Sequence, residues 1–184
     1  MLNDLQPPVT DRDHTIGPAD APVTLVEFGD YECPECYKAY FVLRDIRQRM
    51  GDELRFVFRN FPLTQIHPHA LHAAEAAEAA GEQGSDAFWS MHNTLYEHQQ
   101  DGPDALTDEA LVAYAQWLGL DYQAVEDALA NDSQLARVNA DYQSGLESGV
   151  QGTPTFFING ERYAGPWDEP TLLAALERVA HAHA

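Results

Sequence analysis

Cys33-Pro34-Glu35-Cys36 holds both cysteines of the chain, and its flanks say what must surround it. Val23 to Phe28 is apolar, partly β-branched and bounded by Pro22 and Gly29, which reads as a short buried strand. After Glu32 the period changes: Tyr37, Tyr40, Phe41, Leu43 and Ile46 recur at three- and four-residue steps, as on one face of a helix. Cys33 therefore falls where a strand gives way to a helix. Pro34 suits the first helical position, where its missing N–H is no loss. Cysteines three apart in a first helical turn have Cβ atoms ~5–6 Å apart, within modest adjustment of disulfide geometry. Cys33 meets unpaired N–H groups and the positive end of the helix dipole, which favour a thiolate. Cys36, one turn further in, is the natural resolving thiol. The expectation is a pair that shuttles between dithiol and disulfide. A structural staple across so short a loop would stabilise little, and a zinc site would need two more ligands with no second cysteine pair to supply them.

The chain has 184 residues, room for one domain with a full core or one carrying a large insertion. Its formal net charge is −20 and Lys38 is its only lysine, so nucleic acid and anionic membrane surfaces are not expected partners. Fifteen acidic residues and one arginine between Thr64 and Ser148 concentrate −14 of that charge. No run approaches the ~18–20 apolar residues of a membrane helix, so no membrane insertion is expected. The first twenty residues show neither a basic nor an apolar leader region. As written, the sequence reads as cytoplasmic, and as extracytoplasmic if a leader has been removed.

Residues 1 to about 13 read as a mobile tail, and His14-Thr15-Ile16 as an edge strand before a Gly17-Pro18 turn. The cysteine helix should run to Met50 and stop at Gly51. Leu54 to Arg59 forms the second main strand. Five short helices follow: from Pro68 to Ala80, from Asp86 to Gln99, and then three N-capped by Thr107, Asp121 and Ser133. The strand pattern returns at Thr155 to Ile158, Asn159-Gly160 is a strong hairpin signal, and Arg162 to Ala164 is the return strand. A last helix starts near Asp168. The order is strand, helix, strand, helical insert, hairpin, helix: an α/β chain whose residues 1–63 and 149–184 form two parts of one fold, with 64–148 inserted.

Gly152-Thr153-Pro154 precedes the hairpin, at a strand start where a proline need not donate to the ladder. Glu27, the Cys33–Cys36 motif, Gly152-Thr153-Pro154 and the Asn159-Gly160 hairpin together resemble the thioredoxin fold in its DsbA-like branch, over roughly residues 14 to 180. The resemblance implies a central mixed sheet flanked by helices, with an all-helical insertion. It also implies a protein thiol–disulfide oxidoreductase: Cys33 forms the mixed disulfide and Cys36 resolves it. Pro154 follows a cis peptide bond and lies against the pair, and the backbone at Thr153 takes an extended substrate segment. Glu27, costly in a buried strand unless protonated or paired, takes the proton of Cys36.

Pro34 and Glu35 modulate the pair. A carboxylate at Glu35, with Asp30 and Glu32 nearby, should repel a thiolate and hold the Cys33 pKa above that of strongly oxidising relatives. His67, His69, His72, His92 and His98 form a rival metal constellation, read here as solvated imidazoles at and beyond a helix start. His181 and His183 read as a frayed tail. Tyr31, Phe61, Pro62, Tyr163 and Trp167 could serve equally as substrate groove or as core. No cofactor or metal is expected. The expected partners are protein thiols or disulfides and a redox partner protein or small thiol, with the chain a monomer. A metal-binding or holdase-like peptide-binding module with an incidental redox pair is the alternative.

Overall fold

The computed structural model describes residues 4–182. Strand β1 (His14–Ile16) leads into β2 (Val23–Gly29), helix α1 (Pro34–Met50) and β3 (Leu54–Asn60). Five helices follow: α2 (Ala70–Gly81), α3 (Ser85–His98), α4 (Asp108–Trp117), α5 (Tyr122–Asn131) and α6 (Leu135–Glu147). The hairpin β4 (Thr155–Ile158) and β5 (Glu161–Tyr163) and helix α7 (Glu169–Ala182) complete the order. The sheet runs β1-β3-β2-β4-β5, with β2 parallel to β3 and the other pairs antiparallel. It is a thioredoxin-like mixed sheet flanked by helices, with an all-helical insertion between β3 and β4.

Alternation along the strands divides the core in two. Val23, Leu25, Phe56, Phe58, Phe156 and Ile158 face a large cluster shared with α1, α7 and the insertion. Val26, Phe28, Val57 and Phe157 face a smaller one with Leu5, Phe61 and Val150. Glu27 follows the parity of Leu25 and is paired in register with Phe58 and Phe156, so it points to the side on which the cysteines lie. The hairpin turn has φ of 47° at Asn159 and 85° at Gly160, the double positive φ that Asn-Gly adopts at least cost.

Thr107 and Asp121 cap their helices as expected, accepting from the amides of Ala110 and Ala124. Ser133 does not. Asp132 turns left-handed at φ 50°, and the Ser133 amide closes the end of α5 on the carbonyl of Ala128, so α6 starts two residues later. The helix expected from Pro68 starts at Ala70, after a turn. His181 lies in the last turn of α7 rather than in a frayed tail, and His183 is outside the described residues.

The tail expectation also fails from residue 4 onward. Leu5 is buried, its amide bonded to the Gly160 carbonyl, and Gln6 exchanges hydrogen bonds with Ser148. Arg59, facing inward from β3, donates to both carboxylate oxygens of Asp13 (2.7 and 3.0 Å), to the carbonyls of Pro7 and Pro8, and to Ser144 Oγ. A buried guanidinium needs partners, and the N-terminal segment supplies most of them.

Candidate active site

Cys33 is the N-cap of α1, extended at φ −73° and ψ 122°, and Pro34 opens the helix. No side chain caps this end, so the first-turn amides remain to serve the sulfur. Cys33 is only 6% exposed and Cys36 fully buried, both as free thiols. The Cys33 pKa is lowered from 9.0 to about 6. The main cause is a hydrogen bond from Cys36; burial opposes it, while the Thr153 side chain and the amides of Cys36 and Glu35 assist. Cys36 is pushed well above 9.0 by burial first, then by its bond to Cys33 and the charge of Glu27.

Thr153 and Pro154 come from the other end of the chain. Their peptide bond is cis, and the Thr153 carbonyl lies 3.6 Å from Cys33 Sγ. Thr153 Oγ1 is buried with no hydrogen-bond partner, so its proton is free to turn to the sulfur. Glu27 is 1% exposed with Oε1 unpartnered. Burial, and then the charge of Cys33, raise its pKa from 4.5 to about 8. The structure thus gathers Cys33, Cys36, Thr153, Pro154 and Glu27 into one site.

The acids expected to repel the thiolate are engaged elsewhere. Glu35 is exposed and pairs with Lys38 Nζ at 2.7 Å, while its amide favours the thiolate. Asp30 accepts from the amides of Glu32 and Leu63 and pairs with His67 Nδ1 at 2.8 Å. Glu32 accepts from the His69 amide. A Cys33 pKa of about 6 lies above the ~3.5 of a strong oxidant, as expected, but burial rather than Glu35 opposes the lowering.

The histidines scatter instead of converging. His67 meets Asp30, His72 meets Asp108 and His98 meets Asp101, while His92 is buried among aromatic rings. Burial pushes the His92 pKa well below 6.5, and its Nδ1 shares a hydrogen bond with the Tyr31 hydroxyl at 3.0 Å. Tyr31, Phe61 and Pro62 are core; Tyr163 and Trp167 are half-buried against it. A groove of mixed lining lies next door: Ile66 and Leu146 are its exposed apolar residues, beside Leu63 and Tyr142, with Thr64, Gln65 and Gln151 as its polar ones.

Gln99 is the positioning residue the sequence reading missed. Its Nε2 donates to the carbonyls of Tyr31 (2.7 Å) and Cys33 (3.0 Å), tying α3 to the cysteine turn. Nothing in the spacing of a polar residue at a helix end announces that contact.

Residues 9–178 match the family model described as Thioredoxin. The chain belongs to the thioredoxin family. It superimposes on oxidised BdbD from Bacillus subtilis with a TM-score of 0.86 and 25% identity over 98% of each chain. It is similar to Pseudomonas aeruginosa DsbA2 at a TM-score of 0.74 and 28% identity, over 94% of this chain and 97% of that one. Across 174 residues, 94% of this chain and 26% of the relative, it is 45% identical to the Na(+)/H(+) antiporter NhaA 3 of Salinispora tropica. The chain thus spans about a quarter of the length of the curated relatives it matches. The family, the DsbA-type structural likeness and the Cys-x-x-Cys pair agree on a thioredoxin fold of the DsbA-like kind with its cysteine pair at the start of α1.

Proposed function

We propose that this chain is a thiol–disulfide oxidoreductase that exchanges disulfides with protein substrates through a mixed disulfide at Cys33, resolved by Cys36, with Glu27 handling the proton. One observation carries the reading: two sulfurs one helical turn apart are driven in opposite directions, Cys33 down to about 6 and Cys36 well up. At neutral pH only Cys33 is a ready nucleophile.

In the reducing direction the Cys33 thiolate attacks one sulfur of a substrate disulfide. A Cys33–substrate bond forms, the substrate S–S bond breaks, and its second sulfur leaves as a thiolate. Cys36 then gives up its proton and attacks Cys33 Sγ. The Cys33–Cys36 disulfide forms and the remaining substrate thiolate leaves. Two protein thiols are oxidised and one substrate disulfide is reduced; the oxidising direction runs the same steps backwards. The redox poise of the surroundings selects between them.

Glu27 is timed by its neighbour. While Cys33 is a thiolate, its charge helps keep Glu27 protonated. Formation of the mixed disulfide removes that charge, the Glu27 pKa falls, and a carboxylate becomes available as Cys36 must lose its proton. The Thr153 backbone supports an extended substrate by strand addition, and the groove through Ile66 and Leu146 suits its apolar side chains. A redox partner protein or a small thiol resets the pair, the chain acts as a monomer, and the exchange needs no cofactor. No described helix here is long and apolar enough to cross a membrane.

The test is to trap the intermediate. Cys36→Ser, mixed with a disulfide-bonded protein such as insulin, should accumulate a covalent adduct that dithiothreitol releases. Cys33→Ser should form none. No adduct with the first variant, or an equal adduct with both, would overturn the assignment.

A further inference from the structure

The helical insertion holds a second group of chemistry-bearing side chains, apart from the cysteines. Glu75, midway along α2, is fully buried, and neither of its carboxylate oxygens has a hydrogen-bond partner. The Gln134 amide approaches it without closing a bond. An unpartnered buried carboxylate is costly unless a positive charge compensates it. The only arginine or lysine between residues 64 and 148 is Arg137, which is spent on Asp141 and Glu78.

What faces Glu75 is His72, one turn earlier on α2, and Asp132 at the end of α5. One ligating atom from each lies within 4.8 Å of the others. The imidazole is already oriented: Nδ1 bonds Asp108 Oδ1 at 2.6 Å, which leaves Nε2 toward Asp132 Oδ1 at 3.8 Å. That separation is too long for a hydrogen bond. It is close to the ~3.3 Å between two ligands on one tetrahedral ion with bonds of ~2.0–2.1 Å. A carboxylate holding the far nitrogen of a metal-bound histidine is a recurrent outer-shell arrangement.

We propose that His72, Glu75 and Asp132 form a binding site for a divalent transition metal of the zinc class, with Asp108 orienting the imidazole. One nitrogen and two carboxylates suit such an ion better than calcium or magnesium, which prefer all-oxygen shells. The fourth position is left to water. Bound there, the ion ties α2 to α5 directly and to α4 through Asp108, so it binds the folded insertion alone and stabilises it.

The test uses the protein with Cys33 and Cys36 joined as a disulfide, which removes the thiols as competing ligands, after treatment with EDTA. Zinc titrated by calorimetry should bind one per chain and raise Tm by several degrees. Cobalt should give the d–d absorption of a low-coordinate nitrogen–oxygen site. Glu75→Gln and, at an exposed position where folding is not at risk, Asp132→Asn should each weaken zinc binding at least tenfold. Absence of saturable one-to-one binding by the wild type overturns the proposal, as does wild-type affinity in either variant.

Discussion

Replacing Glu27 by Gln should stabilise the protein and slow its chemistry at the same time. A folded-state pKa of about 8 against an ordinary 4.5 means that the native state holds a proton the unfolded chain releases. Stability from this group is fully present below about pH 4.5 and is lost as pH rises through 8. At about 1.36 kcal/mol per unit the full loss approaches ~5 kcal/mol, with ~1 kcal/mol gone by pH 5 and ~3 kcal/mol by pH 7. Gln cannot ionise and carries none of it. Cys33 contributes in the opposite direction in both proteins, its lowered pKa favouring the folded dithiol as pH rises from 6 toward 9.

Urea denaturation of the dithiol proteins at pH 5, 7 and 8.5 should therefore show the variant pulling ahead of wild type by about 3–4 kcal/mol across the range. In the disulfide form the gap should shrink, because the Cys33 charge that helps raise Glu27 is gone. Stopped-flow resolution of a preformed mixed disulfide should be slower in the variant. A stability gap that stays flat with pH would refute the buried, protonated carboxylate. An unchanged resolution rate would remove Glu27 from the proton transfer.

Alkylation of Cys33 against pH should titrate with a midpoint near 6, leaving about nine-tenths of it as thiolate at pH 7; a midpoint near ~3.5, the range of strong oxidants, would contradict the opposing effect of burial. Arg59→Ala should cost about 3–5 kcal/mol by urea denaturation, because it leaves the buried Asp13 carboxylate unpaired. Hydrogen exchange should then show residues 5–13 losing protection first, and a fall below 1 kcal/mol would mean that the N-terminal segment is not held by this arginine.

Elements set by local pattern were legible in the sequence. The apolar run of β2, the periodicity of α1, the Asn159-Gly160 turn and the caps at Thr107 and Asp121 each depend on neighbours a few residues away. Ser133 misled because its amide was claimed by the preceding helix once Asp132 turned left-handed. The anchoring of residues 4–13 was out of reach for a different reason. Its partners Arg59, Ser148 and Gly160 lie far along the chain, and only the fold reveals that Arg59 points inward and needs them.

At the site, the identities of the groups were legible and their electrostatics were not. A chain of net charge −20 with three acids around its nucleophile looks hostile to a thiolate. Each of those acids is spent before it reaches the sulfur. Asp30 and Glu32 brace the stretch from Leu63 to His69 through amides and an imidazole. Glu35 takes the chain's only lysine in an i,i+3 pair. Among the described residues one carboxylate remains coupled to both sulfurs, Glu27, and burial keeps it neutral while Cys33 is charged. The thiolate is therefore set by neutral donors at short range: the Cys36 thiol, Thr153 and the first amides of α1. Formal charge near a nucleophile predicts its pKa only when the charges have nothing closer to bind.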